Sequence, residues 1–420
     1  MKRISLLIAA TLLLLTASAQ SSAQSCALFD FMCGSEGERA WVRLPKGGKQ
    51  VRAVLYCHQN MTEEVLFRDA EFCSRMDSLG VAMAFIQRGS QNWDLSVKDE
   101  NGQTCQERFE KIMQDVAVGT SHPEIASAPV IPFGHSAQAT FPWNFAAWNP
   151  DRTLCIISYH GDAPRTNLCG YGRANVEWGR TRNIDRIPGL MIMGEYEWWE
   201  ARLLPALAFQ MMYPDSRISF LCDAGRGHFD LCRQTMDYIA LFIEKALDNP
   251  RPDGGCRYSR WFPEGHQSQD PHEKFWYQDE EMVALTKQIY QQSLGKKRQW
   301  VSAEIDGELI EYQPDKHIKM NIRLGGGDQF TLKPVFVDST MTRRSKTHAA
   351  VKPRVVLISG PAEQVAPNTF KVDTTYFGKD PKRLWTGITL CIEAEGDKTY
   401  KSAVQEINVQ MDRRPLAAGK

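Results

Sequence analysis

The sequence predicts an α/β fold, a largely parallel sheet with helices on both faces, followed by a C-terminal antiparallel β-sandwich. Three observations carry this expectation. Short apolar runs alternate with amphipathic stretches from residue 51 to residue 248, which is the pattern of repeated βα units. The segment Asn249-Pro250-Arg251-Pro252-Asp253-Gly254-Gly255 then breaks the pattern, as clustered Pro and Gly do at the end of a domain. From Trp300 onward, brief β-like runs separated by turns replace the helical periodicity.

In chain order, strands are expected at 51–57, 81–87, 129–133, 153–159, 189–193 and 217–222. A helix is expected at 106–118, with Phe109, Ile112, Met113 and Val116 on one face. Another is expected at 231–247, with Met236, Ile239, Ala240, Ile243 and Ala246 on one face. An aromatic-rich stretch containing Tyr258, Trp261, Phe262, Phe275, Trp276 and Tyr277 leads into a helix at 278–294. The final β-like runs are 317–324, 355–359, 369–372, 386–395 and 403–410, with turns at Gly325-Gly326-Gly327-Asp328 and Glu395-Gly396-Asp397. The expected organisation is a leader at 1–19, an α/β domain at 26–250, a connector at 251–299 and an accessory sandwich at 300–415.

The first residues read as a secretory signal. Lys2 and Arg3 precede an apolar core at 4–15, and Ala17-Ser18-Ala19 offers a small-residue cleavage site. That core is too short to span a bilayer, and no later stretch suits a membrane helix. The mature chain is therefore expected in the periplasm or outside the cell, as a monomer. Cys26 lies too far past the apolar core for a lipoprotein. The 50 basic residues balance 50 acidic ones, so nothing electrostatic points to nucleic acid.

Eleven cysteines in an exported chain permit disulfides. Cys26/Cys33 and Cys222/Cys232 are the closest pairs, and the second is expected to bridge the loop that carries His228. The plainer alternative makes Cys57, Cys155, Cys222 and Cys391 buried strand residues. No pair has C-x-x-C spacing, so neither a zinc site nor any other cofactor is called for.

The segment Gly134-His135-Ser136-Ala137-Gln138 follows the apolar run 129–133 and precedes a potential helix. Strand, sharp turn and helix with serine at the apex form a nucleophile elbow, although Gln138 stands where glycine is usual. A serine hydroxyl needs a base to take its proton and an acid to orient that base. Both follow in order. Glu197 comes after the strand 189–193, and His228 lies in Gly225-Arg226-Gly227-His228-Phe229 after the strand 217–222. Glu195, Glu200 and Asp162 are rivals for the acid. His58, His135 and His160 precede it in the chain, and a plain helix-capping serine is the alternative for Ser136. An oxyanion hole needs two backbone N–H groups. Ala137 supplies one, and the early loop His58-Gln59-Asn60-Met61 the other, with Asn60 preferred over Gln59.

These residues resemble the α/β-hydrolase superfamily over about half of the chain, residues 51–248. The resemblance implies an α/β-hydrolase fold, acylation of Ser136 and hydrolysis of the acyl-enzyme by water that His228 activates. The whole chain also resembles exported two-domain hydrolases that Bacteroidota-type bacteria place beside polysaccharide-degrading enzymes. Aromatic faces stack on sugar rings, so Trp198 and Trp199 are expected to line the site. His160 and Arg165, in the loop after the strand that follows the elbow, complete the expected substrate contacts, with Arg165 suited to a uronate carboxylate. The expected activity is a serine esterase removing methyl, acetyl or similar groups from carbohydrate, such as pectin fragments. A serine peptidase of the same fold and a non-catalytic glycan-binding protein are the alternatives. The region after Trp300 supplies no member of the triad and is expected to be dispensable for chemistry on a small ester.

Overall fold

The computed structural model describes residues 28–35, 37–58, 60–87, 93–166, 176–178, 184–197, 200–257, 270–311, 320–324, 328–346, 352–373 and 387–411. The expected leader and Cys26 lie outside them.

Eight strands form one sheet: β1 (Leu28–Cys33), β2 (Glu38–Arg43), β3 (Ala53–His58), β4 (Val81–Gln87), β5 (Val130–His135), β6 (Ile156–Tyr159), β7 (Pro188–Gly194) and β8 (Arg217–Asp223). Their order is β1-β2-β4-β3-β5-β6-β7-β8. From β4 to β8 every neighbouring pair is parallel, whereas β1 and β2 join antiparallel at one edge. The parallel strands match the sequence expectation because they are buried on both faces and read as unbroken apolar runs. Strands β5 and β7 are buried along their whole length. The edge pair was not anticipated: β1 mixes exposed and half-buried positions, and Asp30 interrupts its apolar run.

Helices cover both faces: α1 (Met61–Arg68), α2 (Ala70–Leu79), α3 (Cys105–Thr120), α4 (Phe141–Trp148), α5 (Glu200–Met212), α6 (Arg233–Asp248) and α7 (Glu280–Gln291). Successive strand residues point to opposite faces. Thus Ala53, Leu55 and Cys57 of β3 enter one core, while Val54 and Tyr56 enter the other. Local sequence fixes the helix starts. Asp69 caps α2 through Phe72 N–H at 2.7 Å, and Thr104 with Glu107 forms a capping box on α3. Helix α4, almost entirely buried, lies directly behind the elbow.

Two short strands, β9 (Cys256–Arg257) and β10 (Trp276–Tyr277), pair in the connector. Beyond α7 come β11 (Trp300–Ile305), β12 (Glu308–Leu309), β13 (Met320–Leu324), β14 (Gln329–Thr331), β15 (Lys333–Val337), β16 (Arg354–Ser359), β17 (Ala362–Ala366), β18 (Thr369–Val372), β19 (Gly387–Ala394) and β20 (Ala403–Met411). They form three small sheets, β12-β11-β15, β13-β20-β19-β16 and β14-β18-β17. All pairs are antiparallel except β13 with β20, which are parallel. Val301, Leu332, Phe370, Ile388, Leu390 and Ile407 make their shared core. Ile358 of β16 and Cys391 of β19 instead join the larger core of the α/β domain, so the two regions are packed together.

The expected Cys222–Cys232 bridge is not formed. Both residues are buried free thiols. Cys222 is enclosed within β8, while Cys232 caps α6 with its sulfur 3.3 Å from Thr235 Oγ1. The plainer reading of buried strand cysteines describes Cys57, Cys222 and Cys391, while Cys155 is buried just ahead of β6. Among the described residues no helix is long and apolar enough to cross a membrane.

Candidate active site

The chemistry-bearing residues gather at the carboxyl ends of the parallel strands, where an open α/β sheet presents its sites. Ser136 follows β5 and has a left-handed backbone, φ 54°. A non-glycine residue in that region is strained and held by its surroundings. The turn is tight enough that a Cβ on Gly134 would lie 2.0 Å from the Gln138 carbonyl oxygen. Gln138 itself is buried and its Oε1 lies 3.4 Å from His58 Nδ1, which gives the unusual glutamine an interior partner.

Two side chains of the α1 region hold the peptide before Ser136 from both sides. Asn60 Nδ2 donates to the His135 carbonyl at 2.7 Å, and His135 N–H donates to Glu63 Oε1 at 2.7 Å. Glu63 escaped the sequence reading because it sits beside a second glutamate, Glu64, in no recognisable motif. Its helix starting right after the His58–Met61 loop is the signal that could have found it.

Ser136, His228 and Glu197 are brought into one hydrogen-bonded line. The Ser136 hydroxyl donates to His228 Nε2 at 2.6 Å, and His228 Nδ1–H donates to Glu197 Oε2 at 2.8 Å. The geometry therefore sets the tautomer, because the carboxylate takes the Nδ1 proton and leaves Nε2 as an acceptor. Glu197 is well supported. Gly194 N–H donates to its Oε1 at 3.1 Å, and Arg202 Nη1 donates to Oε2 at 3.1 Å. Burial opposes its ionisation, yet neighbouring His160 and the His228 hydrogen bond hold the carboxyl down at about 2.

The rival acids have other partners. Glu195 accepts Gly225 N–H at 2.7 Å and pairs with Lys401. Asp162 accepts from Thr140 Oγ1 at 2.9 Å. The side chain of Glu200 lies outside the described residues.

His160 corrects the sequence expectation. It is completely buried and cannot meet substrate directly. Its Nδ1–H points to the His228 carbonyl at 2.8 Å and lies 3.2 Å from Glu197 Oε1. Burial alone would lower its imidazole, but the Glu197 and Asp223 carboxylates raise it. His135 Nε2–H donates to the same His228 carbonyl at 2.8 Å. Two imidazoles thus pin the backbone of a third. Ring nitrogens of His135, His160 and His228 lie within 4.8 Å of one another, close enough to hold a metal ion. However, His135 Nε2 and His160 Nδ1 face a carbonyl as N–H donors, so hydrogen bonding accounts for their arrangement.

Arg165 is engaged elsewhere, donating to Tyr213 Oη at 3.1 Å and lying 3.5 Å from Glu177. Among the described residues its substrate role therefore has no contact with the triad loops to support it. Trp198, Trp199 and Gln59 lie outside the described residues. Asn60 sits at the N-cap of α1 and Ala137 in the short turn after Ser136. The first hydrogen bond of that turn comes from Ala139 to the Ser136 carbonyl at 2.9 Å, and the opening N–H groups of a helical turn have no partner within it.

The C-terminal region reaches this site. Residues of the strands β11 and β20 line a cavity of about 380 Å³ whose other wall includes Glu197 and His228.

No family model matches the sequence, and no curated protein matches it. Solved structures are similar over about half of the chain. A carboxylesterase from a metagenomic library, EstE1, is 18% identical, with 56% of this chain and 93% of that one covered and a TM-score of 0.36. An S-formylglutathione hydrolase from Agrobacterium tumefaciens is 15% identical, with 56% and 98% covered and a TM-score of 0.37. A predicted CIB-like hydrolase from Thermoplasma acidophilum is 13% identical, with 52% and 99% covered and a TM-score of 0.34.

Proposed function

We infer that this protein is an exported serine esterase that removes ester groups from carbohydrate. The observation that carries the hydrolase reading is the line Ser136 Oγ–His228 Nε2–Glu197 Oε2, with spacings of 2.6 and 2.8 Å, built on a strained elbow. Hydroxyl, base and oriented acid in this geometry are what acyl transfer requires.

In the proposed reaction His228 Nε2 takes the Ser136 proton as Oγ attacks the ester carbonyl. The developing oxyanion is met by the N–H groups of Ala137 and Asn60. Glu197 stays ionised and stabilises the imidazolium. Collapse breaks the carbon–oxygen bond, and His228 gives its proton to the leaving alcohol. Water then repeats the sequence: His228 accepts its proton, hydroxide attacks the acyl-serine, and Ser136 leaves reprotonated with a carboxylic acid as product. His135 and His160 hold the base in place through its carbonyl.

The carbohydrate part of the reading rests on the export signal and the tryptophan-rich sequence beside the acid. A panel of acetyl, methyl and feruloyl esters on defined oligosaccharides tests it. Turnover of a sugar ester that Ser136→Ala abolishes is expected. Turnover of simple aryl esters alone would remove carbohydrate from the reading, and undiminished turnover by Ser136→Ala would remove the mechanism.

A further inference from the structure

The cavity between the α/β domain and the C-terminal sheets has no part in the proposed reaction beyond the two residues it shares with it. Ser136 does not line it, whereas His228 and Glu197 do. Its volume, about 380 Å³, falls in the range of small-molecule sites. We propose that it binds a carboxylate-bearing saccharide, with Arg298 as the anion contact and Tyr196 and Trp300 as the sugar-facing aromatics.

Arg298 carries the charge argument. Its side chain is exposed, and its guanidinium carbon lies 3.6 Å from the centre of the Tyr196 ring and 5.2 Å from that of Trp300. Stacking on an aromatic face holds the plane of the guanidinium while leaving its N–H edge free. Among the described residues Arg298 forms no hydrogen bond and no ion pair. The nearby cations differ in this respect, because Lys401 is paired with Glu195 and Arg202 with Glu197. A planar fork that is held in place and has no counter-ion suits a carboxylate.

The carboxylates around the cavity do not cancel it. Glu197 is committed to His228, His160 and Arg202. Asp230 accepts Gly227 N–H at 2.7 Å and has the Arg226 guanidinium as a charge neighbour.

The wall also retains unspent polar capacity. The Tyr196 hydroxyl and Gln299 Oε1 are buried with no hydrogen-bond partner among the described residues. Gln299 is anchored through its nitrogen to the carbonyls of Glu395 and Lys401 at 3.2 and 2.7 Å. Unmatched buried polar atoms are costly, and a ligand rich in hydroxyl groups that reached this wall would supply their partners. Anion contact, aromatic faces and spare hydroxyl partners together describe an acidic sugar better than a phosphate or an apolar molecule.

The site is read by binding, so it stands or falls separately from the esterase reading. Titration calorimetry on the full chain would compare trigalacturonate with the neutral galactotriose. The acidic probe is expected to bind at least about tenfold more tightly, a difference of one bidentate charge contact, and to weaken as salt is raised. Arg298→Gln should abolish the preference, and Arg298→Lys, which keeps charge but not the planar stack, should retain part of it. Equal binding of both probes, no binding of the acidic one, or an unchanged preference in Arg298→Gln would overturn the proposal.

Discussion

Lys401, at the edge of the C-terminal sheets, is ion-paired with Glu195 of the loop that carries the candidate acid. The other oxygen of Glu195 accepts Gly225 N–H at 2.7 Å, on the loop that carries His228. The contact is close: a Cβ on Gly225 would lie 2.7 Å from the Ser402 carbonyl oxygen. Backbone bonds tie the same loops together, Glu195 N–H to Asp223 at 3.1 Å and Tyr196 N–H to Arg226 at 2.9 Å. The C-terminal sheets therefore brace the loops of Glu197 and His228, which argues against their being dispensable if those residues act on a small ester.

The brace is tested by a double-mutant cycle. Lys401→Ala and Glu195→Gln should each lower kcat on a small soluble ester by about tenfold, and the double variant should be little worse than either, because the two residues act through one contact. Additive losses would mean that they act separately.

The two glutamates of this loop should differ sharply. Glu197→Gln removes the partner of the imidazolium and its tautomer control, so kcat should fall by about ten-thousand-fold, the scale of such losses in triads. Glu195→Gln should cost far less. Steady-state kinetics of the two variants decides between them, and the reverse ranking would move the acid to Glu195.

His160 should act as a positioning residue. His160→Phe removes one of two donors to the His228 carbonyl and a charge neighbour of Glu197. The expected result is a kcat lower by about tenfold to a hundredfold with KM little changed, since the interaction matters to the reacting geometry. Stability gives a second readout. The Glu197 carboxyl is depressed to about 2, so its contribution is present above its unfolded value and is lost as pH falls toward 2. Without His160 that loss should set in at a higher pH, as acid titration of folding would show.

His58 makes the opposite kind of pH prediction. Burial pushes its imidazole down to about 4, despite the Gln138 hydrogen bond. Between its unfolded value of about 6.5 and about 4, the unfolded chain binds a proton that the folded one refuses. Stability should therefore fall as pH falls through this window, by roughly 3 kcal/mol for this one group. Urea unfolding of wild type and His58→Gln at several pH values checks it. The stability difference between them should shrink steadily on acidification, and a pH-independent difference would contradict it.

The parallel strands and the amphipathic helices α3, α6 and α7 were legible because their periodicity reports burial directly. The order Ser136, Glu197, His228 was legible because chain order follows the βα repeat. What stayed hidden was tertiary. Nothing local distinguishes Glu195 as a tie to Lys401, two hundred residues away in sequence, from Glu197 as the partner of His228. His160 looked like a loop histidine facing substrate, but the sheet end buries it behind the base. The Cys222–Cys232 expectation rested on spacing, and spacing does not report that one thiol is locked inside a strand and the other caps a helix. Glu63 and Asn60 converge on the peptide of His135 only once α1 is placed beside β5.

Covalent labelling tests most directly whether Ser136 is the nucleophile. The intact protein would be treated with a fluorophosphonate, digested, and the modified peptide located by mass spectrometry. One adduct is expected, on the Ser136 hydroxyl, absent from Ser136→Ala and slowed in His228→Ala, because the attacking oxygen needs the imidazole to take its proton. An adduct on another residue, or ester hydrolysis that persists in Ser136→Ala while Ser136 stays unlabelled in the wild type, would contradict it.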